Sequence, residues 1–437
     1  MSKFSVQNKG LQELQSRVLF VLVGILVFRI GVHLPIPGVD LDQLNHIFQQ
    51  NQGNMILGYF DLFSGGALSN MSLLTLGIAP YITASIALQL LSYSLPVLQE
   101  LRKEGESGRQ KMNQYTRYLT LLLSLLQGMG VTQFLISNQM IIIPASEFYF
   151  LSALSLSTGT MFLMWLGDQM TRNGIGNGIS ILIFSGIVSR FPEAIAKLFS
   201  QVRQGQVHAF TLLLVFAIIV SVIVFVVCME RGQRQLPLTY PKRQQAGGRN
   251  MTQNNSRLPL KINMVGVLPP IIATALISFP LAAAEFFARS GSLPWLPRLS
   301  FYLQPGEPLY MLFFVGLVLL FSYYLTAVLY NTDDIADQLK RGGALIGGVR
   351  PGIQTALHID KILSKLTLFG GLYLSFVAVL PDIVIRFLHI TMTFGGTSLL
   401  IAVVVVIEIM SQLQTYLIPG HMDRMNQKKG GQLKLLR

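Results

Sequence analysis

The chain has 437 residues, of which 51% are hydrophobic and only 12% charged, and its formal net charge is +13. Soluble domains carry about 25% charged residues, so the composition excludes a series of ordinary soluble domains and indicates one polytopic membrane domain. A single cysteine, Cys228, excludes intrachain disulfides, and the six histidines are too scattered to predict a metal site.

Ten apolar stretches follow a polar N-terminal tail, in which we expect no cleavable signal. Each has about the 20 residues that a helix needs to cross the hydrocarbon core. The first contains Arg29 and the fifth is interrupted towards its end by Pro192, so nine spans is the alternative count. The predicted spans are 18–37, 75–94, 116–136, 149–168, 179–198, 209–228, 264–284, 309–329, 367–386 and 397–417.

The basic residues are distributed unevenly between the two sides of these spans. With the N-terminus inside, 26 of the 33 lysines and arginines fall in inner segments, which predicts that both termini are cytoplasmic. Two inner segments, 230–263 and 331–365, are long and rich in glycine, proline and basic residues. They predict a protruding surface that binds RNA or an acidic protein face.

Ten spans also predict two halves. Residues 1–198 would form the first half, 199–208 an outer connection, 209–417 the second half and 418–437 a cytoplasmic tail. Because each half has five spans, the second would enter the membrane from the opposite side. Such inverted repeats place a functional site at their interface near the midplane.

The spans carry little chemistry of their own. Arg29 and Glu408 are the clearest charges within them, and snorkelling or structural pairing is favoured over proton transfer for both. The glycines of 172–186 predict a tight turn and close helix packing. A phosphate-binding loop would need a preceding strand and a soluble βαβ unit, and no catalytic signature is present.

Isoleucines recur at helical spacing. Ile78 and Ile82 are four residues apart, as are Ile179 and Ile183, a pattern typical of lipid-facing or core positions. The same stretches also contain the polar residues Thr83, Ser85, Gln89, Asn177 and Ser180. Polar groups in a span require a partner or a water-filled cavity, in which a ring of isoleucines could gate by dewetting.

Seven stretches in order resemble the SecY family, the protein-conducting channels of the bacterial Sec translocon. They are 28–40 (FRIGVHLPIPGVD), 62–91, 103–120, 159–184, 230–245 (ERGQRQLPLTYPKRQQ), 349–363 (VRPGIQTALHIDKIL) and 394–415. The resemblance implies an all-α integral membrane protein in which ten helices, as two inverted halves, surround a central pore.

The resemblance also implies a plug, a short half-helix over about residues 60–72 that closes the channel from outside. Its glycines let it bend, and its modest hydrophobicity suits a wet funnel. The implied plug residues are Phe60, Asp61, Leu62, Phe63, Ser64, Gly65, Gly66, Ala67, Leu68, Ser69 and Asn70.

A pore ring and a lateral gate are implied as well. The ring carries over onto Ile78, Ile82, Ile179, Ile183, Ile271 and Ile401. The gate would lie between spans two and three and spans seven and eight, with Thr83 and Gln89 near it, and would release apolar segments into lipid. Pro269 and Pro270 predict a kink near the start of span seven.

As a family member, the chain would be a passive pore without a cofactor or enzymatic activity. It would pass unfolded precursor proteins with signal sequences across the bacterial plasma membrane. The implied partners are the subunits SecE and SecG, the motor ATPase SecA, the RNA and proteins of the ribosome, and membrane lipid. The implied docking residues are Arg243, Lys340, Arg341 and Arg350.

Three positions depart from the family pattern. Asn70 replaces a frequent basic residue of the plug, His358 replaces a commoner tyrosine, and Pro241 precedes KRQQ. Two other classes remain as alternatives, a secondary transporter and an intramembrane enzyme. The transporter would need coordinating charges at the midplane, and the enzyme would need a catalytic pair.

Overall fold

A computed structural model describes residues 3–40, 43–44, 64–205, 208–239, 256–277, 307–388 and 396–414. The chain divides into two compact units. Unit 1 comprises residues 1–206, 391–394 and 401–437, and unit 2 comprises residues 207–390 and 395–400.

Helices occupy all ten predicted span positions, although two of them are short. Among the described residues, eight helical stretches, two of them interrupted by a short break, are long and apolar enough to cross a membrane: Glu13–Val32, Glu106–Ser137, Ala145–Asn173, Gly178–Arg203, Phe210–Arg231, Pro308–Arg341, Ile353–Leu388 and Gly396–Gln414. The second and seventh positions hold the shorter apolar helices Ala79–Ser92 and Leu268–Ile277. The second starts later than predicted because turns occupy 75–78, where Gly77 has a φ of 56°. Beyond Ile277, the predicted seventh span leaves the described residues.

Unit 1 contains seven of the helices and part of another. They are α1 (Lys3–Val32), α2 (Ala79–Ser94), α3 (Pro96–Lys103), α4 (Glu106–Ser137), α5 (Ala145–Asn173), α6 (Gly178–Ser189) and α7 (Phe191–Arg203). Proline occupies one of the first two positions of α2, α3 and α7, where its missing N–H costs no helical hydrogen bond. Because α7 begins next to Pro192, the predicted fifth span is two helices separated at Arg190.

Helices α4 and α5 pack through small residues. On α4, a buried stripe repeats every four residues: Thr116, Thr120, Ser124, Gly128 and Thr132. The hydroxyls of Thr132 and Ser152 on α5 are 2.7 Å apart. Small side chains allow close approach, which drives helix association where both helices are surrounded by apolar tails.

Unit 2 combines helices with a small sheet. Its elements are α8 (Ala209–Arg231), β1 (Gln233–Thr239), β2 (Ser256–Lys261), α9 (Leu268–Ile277), α10 (Pro308–Leu329), α11 (Thr332–Arg341), β3 (Leu345–Ile346) and α12 (Ile353–Leu388). A final helix, α13 (Gly396–Gln414), has residues 396–400 in unit 2 and the remainder in unit 1.

The sheet lies in the two long segments that the sequence analysis treats as surface loops. Its order is β2-β1-β3, with antiparallel pairing that places Leu236 opposite Leu258 and Leu238 opposite Ile346. Leu236, Leu238 and Ile346 are buried in a cluster with Ile359 and Leu363 of α12. These two segments therefore pack in part against α12, and the alternation in QRQLPLT was the signal for a strand.

Candidate functional site

The predicted ring isoleucines lie near the starts of four helices. Ile78 immediately precedes α2, and its carbonyl accepts a 3.1 Å hydrogen bond from the Ile82 N–H. Ile179 and Ile183 lie in the first two turns of α6, Ile401 near the start of α13 and Ile271 in α9. Ile78, Ile183 and Ile401 are buried, whereas Ile82, Ile179 and Ile271 are half-buried. Their assembly into one ring stays a prediction, because Ile271 belongs to unit 2 and the other five to unit 1.

Residues 64–72, here called the turn segment, are the described part of the expected plug. Phe60, Asp61, Leu62 and Phe63 lie outside the described residues. The turn segment consists of successive turns rather than the half-helix that the resemblance implies. The reason is that Gly65 and Gly66 have φ values of 69° and 92°, which a right-handed helix does not allow.

The C-terminal end of the turn segment is fixed to the chain that follows α1. The Ile36 N–H donates to the Met71 carbonyl at 2.9 Å, and the Leu73 N–H donates to the Leu34 carbonyl at 2.9 Å. The Met71 side chain is 1% exposed in an apolar cluster that includes Ile36 and Phe148. This end of the segment is therefore anchored by both backbone pairing and burial.

Arg29 of α1 contacts the N-terminal end of the turn segment. Its Nη1 donates to the Gly65 carbonyl at 3.0 Å and to Ser189 Oγ at 2.9 Å. Ser189 Oγ in turn donates to the Gly186 carbonyl at 2.7 Å. The sequence favoured snorkelling or structural pairing for Arg29, and among the described residues its hydrogen-bond partners are a backbone carbonyl and a hydroxyl.

Gly65 also lies against α6. A Cβ atom added at Gly65 would be 2.7 Å from the Gly186 Cα, a separation that real Cβ contacts essentially never show. The absence of a side chain at Gly65 therefore permits both its left-handed φ and this backbone contact.

Arg190, between α6 and α7, contacts the turn segment at Gly66 and Ser69. Its Nη2 donates to Ser69 Oγ at 2.6 Å. A Cβ atom on Gly66 would lie 2.7 Å from the same nitrogen, so the guanidinium packs directly against the Gly66 backbone. Arg190 also forms an ion pair with Glu193, which pairs with Lys197 at 3.0 Å.

Asn70 is the turn-segment residue at which the sequence is expected to depart from the family pattern. Its Nδ2 lies 3.5 Å from the Val32 carbonyl and 3.4 Å from His33 Nδ1. The amide therefore makes weak polar contacts with the end of α1 and the residue after it.

The glycine-rich turn before α6 matches the prediction of a tight turn with close packing. Gly176 has a φ of 83°, and its N–H donates to Gln412 Oε1 at 2.6 Å. A Cβ at Gly178 would lie 2.2 Å from the Gly167 carbonyl oxygen. Asn177 caps α6 by accepting from the N–H groups of Ile179 and Ser180. The turn thus sets the position of Ile179 and Ile183.

Three of the four predicted docking residues are described. Lys340 and Arg341 end α11, and Arg350 follows β3; all three are exposed. Arg243 lies outside the described residues, as does Pro241. His358 is exposed on the first turns of α12, so the three described basic residues and His358 are accessible to a partner of unit 2.

The residues assigned to a lateral gate make contacts within their own helix. Thr83 Oγ1 donates to the Ala79 carbonyl at 3.0 Å, and Gln89 Nε2 approaches Ser85 Oγ at 3.4 Å. Their role in a gate stays a prediction. Glu408 is exposed on α13.

A polar cluster in unit 2 around the half-buried Glu230 was not predicted from the sequence. Glu230 Oε1, at the end of α8, accepts from Asn263 Nδ2 at 2.6 Å and from the Tyr373 hydroxyl at 3.2 Å. Asn263 also closes the turn to Gly266 with hydrogen bonds to its carbonyl and N–H. An acid directly after an apolar run was the available signal, but its partners are 33 and 143 residues away. In the part of the chain that the structure describes, no three His, Cys, Asp or Glu residues group as metal ligands.

In the part of the chain that the structure describes, eight long and two short apolar helical stretches, with a non-spanning turn segment between two arginines, define a polytopic membrane protein. The SecY family model matches residues 72–410, and the chain belongs to the SecY family.

Relatives and solved structures agree with this assignment. The chain is 47% identical to protein translocase subunit SecY of Escherichia coli K12 over 424 residues, covering 96% of this chain and 95% of the relative. It is also 47% identical to the Vibrio cholerae subunit over 420 residues, covering 95% and 94%.

Two solved structures share its fold at lower identity. One is a SecY protein whose plug domain is described as stabilising the closed state of the translocation channel, with a TM-score of 0.68 and 18% identity. The other is Sec61 of the canine ribosome–channel complex from the endoplasmic reticulum, with a TM-score of 0.64 and 16% identity. Each comparison covers 92% of both chains.

Proposed function

We propose that this chain is the central channel of a bacterial protein translocase, through which unfolded precursor polypeptides cross the inner membrane. The observation that carries the proposal is the turn segment in a chain that belongs to the SecY family. A segment that does not span, yet is held among spanning helices by Arg29 and Arg190, suits a stopper. In this proposal residues 60–72 are the plug.

The energy for transport comes from partners. SecA or a translating ribosome drives the polypeptide, and SecE and SecG complete the complex. The exposed basic residues of unit 2 support this proposal, because a positive surface attracts RNA or an acidic protein face. The Sec61 neighbour, described in a complex with the ribosome, supports the cotranslational partner. Arg243, Lys340, Arg341 and Arg350 are the proposed contacts.

The two halves, 1–198 and 209–417, surround the pore, and the six isoleucines form its constriction. Branched apolar side chains can separate around a polypeptide and close again without breaking hydrogen bonds, and a constriction that dewets excludes ions. Sufficiently apolar segments leave sideways through a gate near Thr83 and Gln89. The bias of basic residues supports cytoplasmic termini.

Deletion of residues 60–72 tests the function directly. The parent and the deletion variant are reconstituted with SecE, SecG and SecA, and both resting ion conductance and ATP-driven precursor transport are measured. We expect a resting leak only in the deletion variant, with transport retained. A deletion variant that transports precursor without a resting ion leak would assign the seal to the isoleucines. Failure of the parent to transport precursor would favour the transporter alternative.

A further inference from the structure

Two arginines from separate parts of unit 1 contact the same five-residue stretch of the turn segment. Arg29 comes from α1 and reaches Gly65, whereas Arg190 follows α6 and reaches Gly66 and Ser69. An arginine within an apolar span is costly unless it has partners, and such residues usually mark function. Both side chains donate hydrogen bonds to the turn segment, which does not cross the membrane.

We propose that Arg29 and Arg190 form a clamp that holds the turn segment in the closed position, and that opening of the channel requires release of this clamp. The inference rests on the proposed function of residues 60–72 as the plug. It names the residues that retain the plug, and it makes the clamp strength a determinant of how readily a signal sequence opens the channel.

The acceptors on the turn segment suit a reversible clamp. They are a backbone carbonyl on Gly65 and a hydroxyl on Ser69, and neither is charged. A hydrogen bond from a cation to a neutral group is stronger than a neutral pair, and release of these two bonds leaves no unpaired anion among the described residues 64–72. Arg190 keeps 20% of its side chain exposed, so water can replace the Ser69 hydroxyl when the segment leaves.

The other partners of the arginines keep the clamp in place after release. Ser189 holds Arg29 from α6 and is itself bonded to Gly186. Glu193 pairs with Arg190 from the first turn of α7. Since these partners lie outside the turn segment, both guanidinium groups remain oriented to bind it again.

The glycine pair is part of the same device. Gly65 allows backbone contact with Gly186, and Gly66 allows the Arg190 guanidinium to lie against the backbone. A side chain at either position would occupy the space that the clamp uses. The adjacent glycines thus provide a fit to α6 and Arg190 in addition to conformational freedom.

The test uses Arg29→Gln, Arg190→Gln and the double variant in the complete translocase with SecE, SecG and SecA. Glutamine removes the charge but remains polar. We expect each single variant to raise resting ion conductance about tenfold, the ratio for loss of one charge-assisted hydrogen bond. Precursors with defective signal sequences should be transported faster, while transport of normal precursors is retained. Arg203→Gln, an exposed arginine at the end of α7, is the matched control and should behave like the parent.

Ser69→Ala provides a second variant that leaves both arginines unchanged. If the Arg190–Ser69 contact closes the channel, Ser69→Ala should raise the resting conductance. The double variant Ser69→Ala/Arg190→Gln should then raise the conductance by a factor smaller than the product of the two single-variant factors. Independent, fully multiplicative effects would overturn this contact as the clamp. Equal thermal stability of the variants and the parent separates loss of the clamp from general unfolding.

Deletion of residues 60–72 serves as the reference for full opening. If the double arginine variant has the same resting conductance as the parent while the deletion variant leaks, the clamp is overturned and the channel function stands. A parent complex that transports no precursor, with a deletion variant that does not leak, would instead overturn the proposed function and the clamp with it.

Discussion

Gly65 occupies the most restricted position in the turn segment, and its replacement by alanine is the sharpest perturbation available. The residue has a φ of 69°, which costs an L-residue about 1–2 kcal/mol. Its new Cβ would also lie 2.7 Å from the Gly186 Cα. Because that neighbour is backbone, the segment must shift, and overpacking of this kind costs about 1–3 kcal/mol.

The combined cost for Gly65→Ala is about 2–5 kcal/mol in the closed position. The displaced segment also weakens the 3.0 Å hydrogen bond from Arg29. Since about 1.4 kcal/mol corresponds to a factor of ten, the population of the closed state should fall roughly thirtyfold or more relative to states in which the segment has moved away.

Resting conductance of the reconstituted complex is the appropriate assay, with precursor transport as the measure of an intact channel. Gly205→Ala is a matched control because Gly205 has a φ of 73° but nothing within 4 Å of an added Cβ. The Gly205→Ala variant has the same kind of backbone strain, but its added Cβ meets no neighbouring atom. If Gly65→Ala leaks no more than Gly205→Ala, the contact with Gly186 does not hold the segment closed, and the reasoning is refuted.

Three further predictions concern other parts of the chain. Asn177→Ala removes the N-cap of α6 and should destabilise the protein by about 1 kcal/mol, seen as a lower thermal unfolding midpoint; an unchanged midpoint would contradict the cap. Glu230→Ala removes the acceptor of the buried Tyr373 hydroxyl and one of the two acceptors of Asn263 Nδ2, and it should cost about 2 kcal/mol in the same measurement, while the exposed Asp337→Ala should be neutral. For the proposed partner SecA, Arg350→Glu should slow association about tenfold at low salt and less at high salt; equal association rates of the variant and the parent at both salt concentrations would exclude an electrostatic role.

The membrane architecture was predictable because the bilayer imposes a simple requirement on sequence. A spanning helix needs a continuous apolar stretch of about 20 residues, and all ten predicted positions contain helix. The positions at which the helices begin or divide were less predictable. The second span begins only at Ala79, and the fifth divides at Arg190, because local turns and helix-starting prolines override average hydropathy.

For the surface segments of unit 2, the exposure of the basic residues was predictable but the secondary structure was not. Their charge predicted an exposed docking surface, and Lys340, Arg341 and Arg350 are exposed. The sheet was missed because β1 and β2 pair across 16 intervening residues and β3 contributes only two. Strand pairing depends on such distant partners more than on the short segments themselves.

The sequence by itself determined the class of protein and the family, and it pointed to the glycines and isoleucines as candidate site residues. Local hydropathy and ordered motifs are properties of contiguous residues, so they survive without coordinates. Only the tertiary structure decided that Arg29 binds the Gly65 carbonyl and that Arg190 binds Ser69. Those pairs are separated by 36 and 121 residues, and one acceptor is a backbone atom that every residue carries. Residue type alone could not have selected it, because the choice depends on where the helices of unit 1 place their ends.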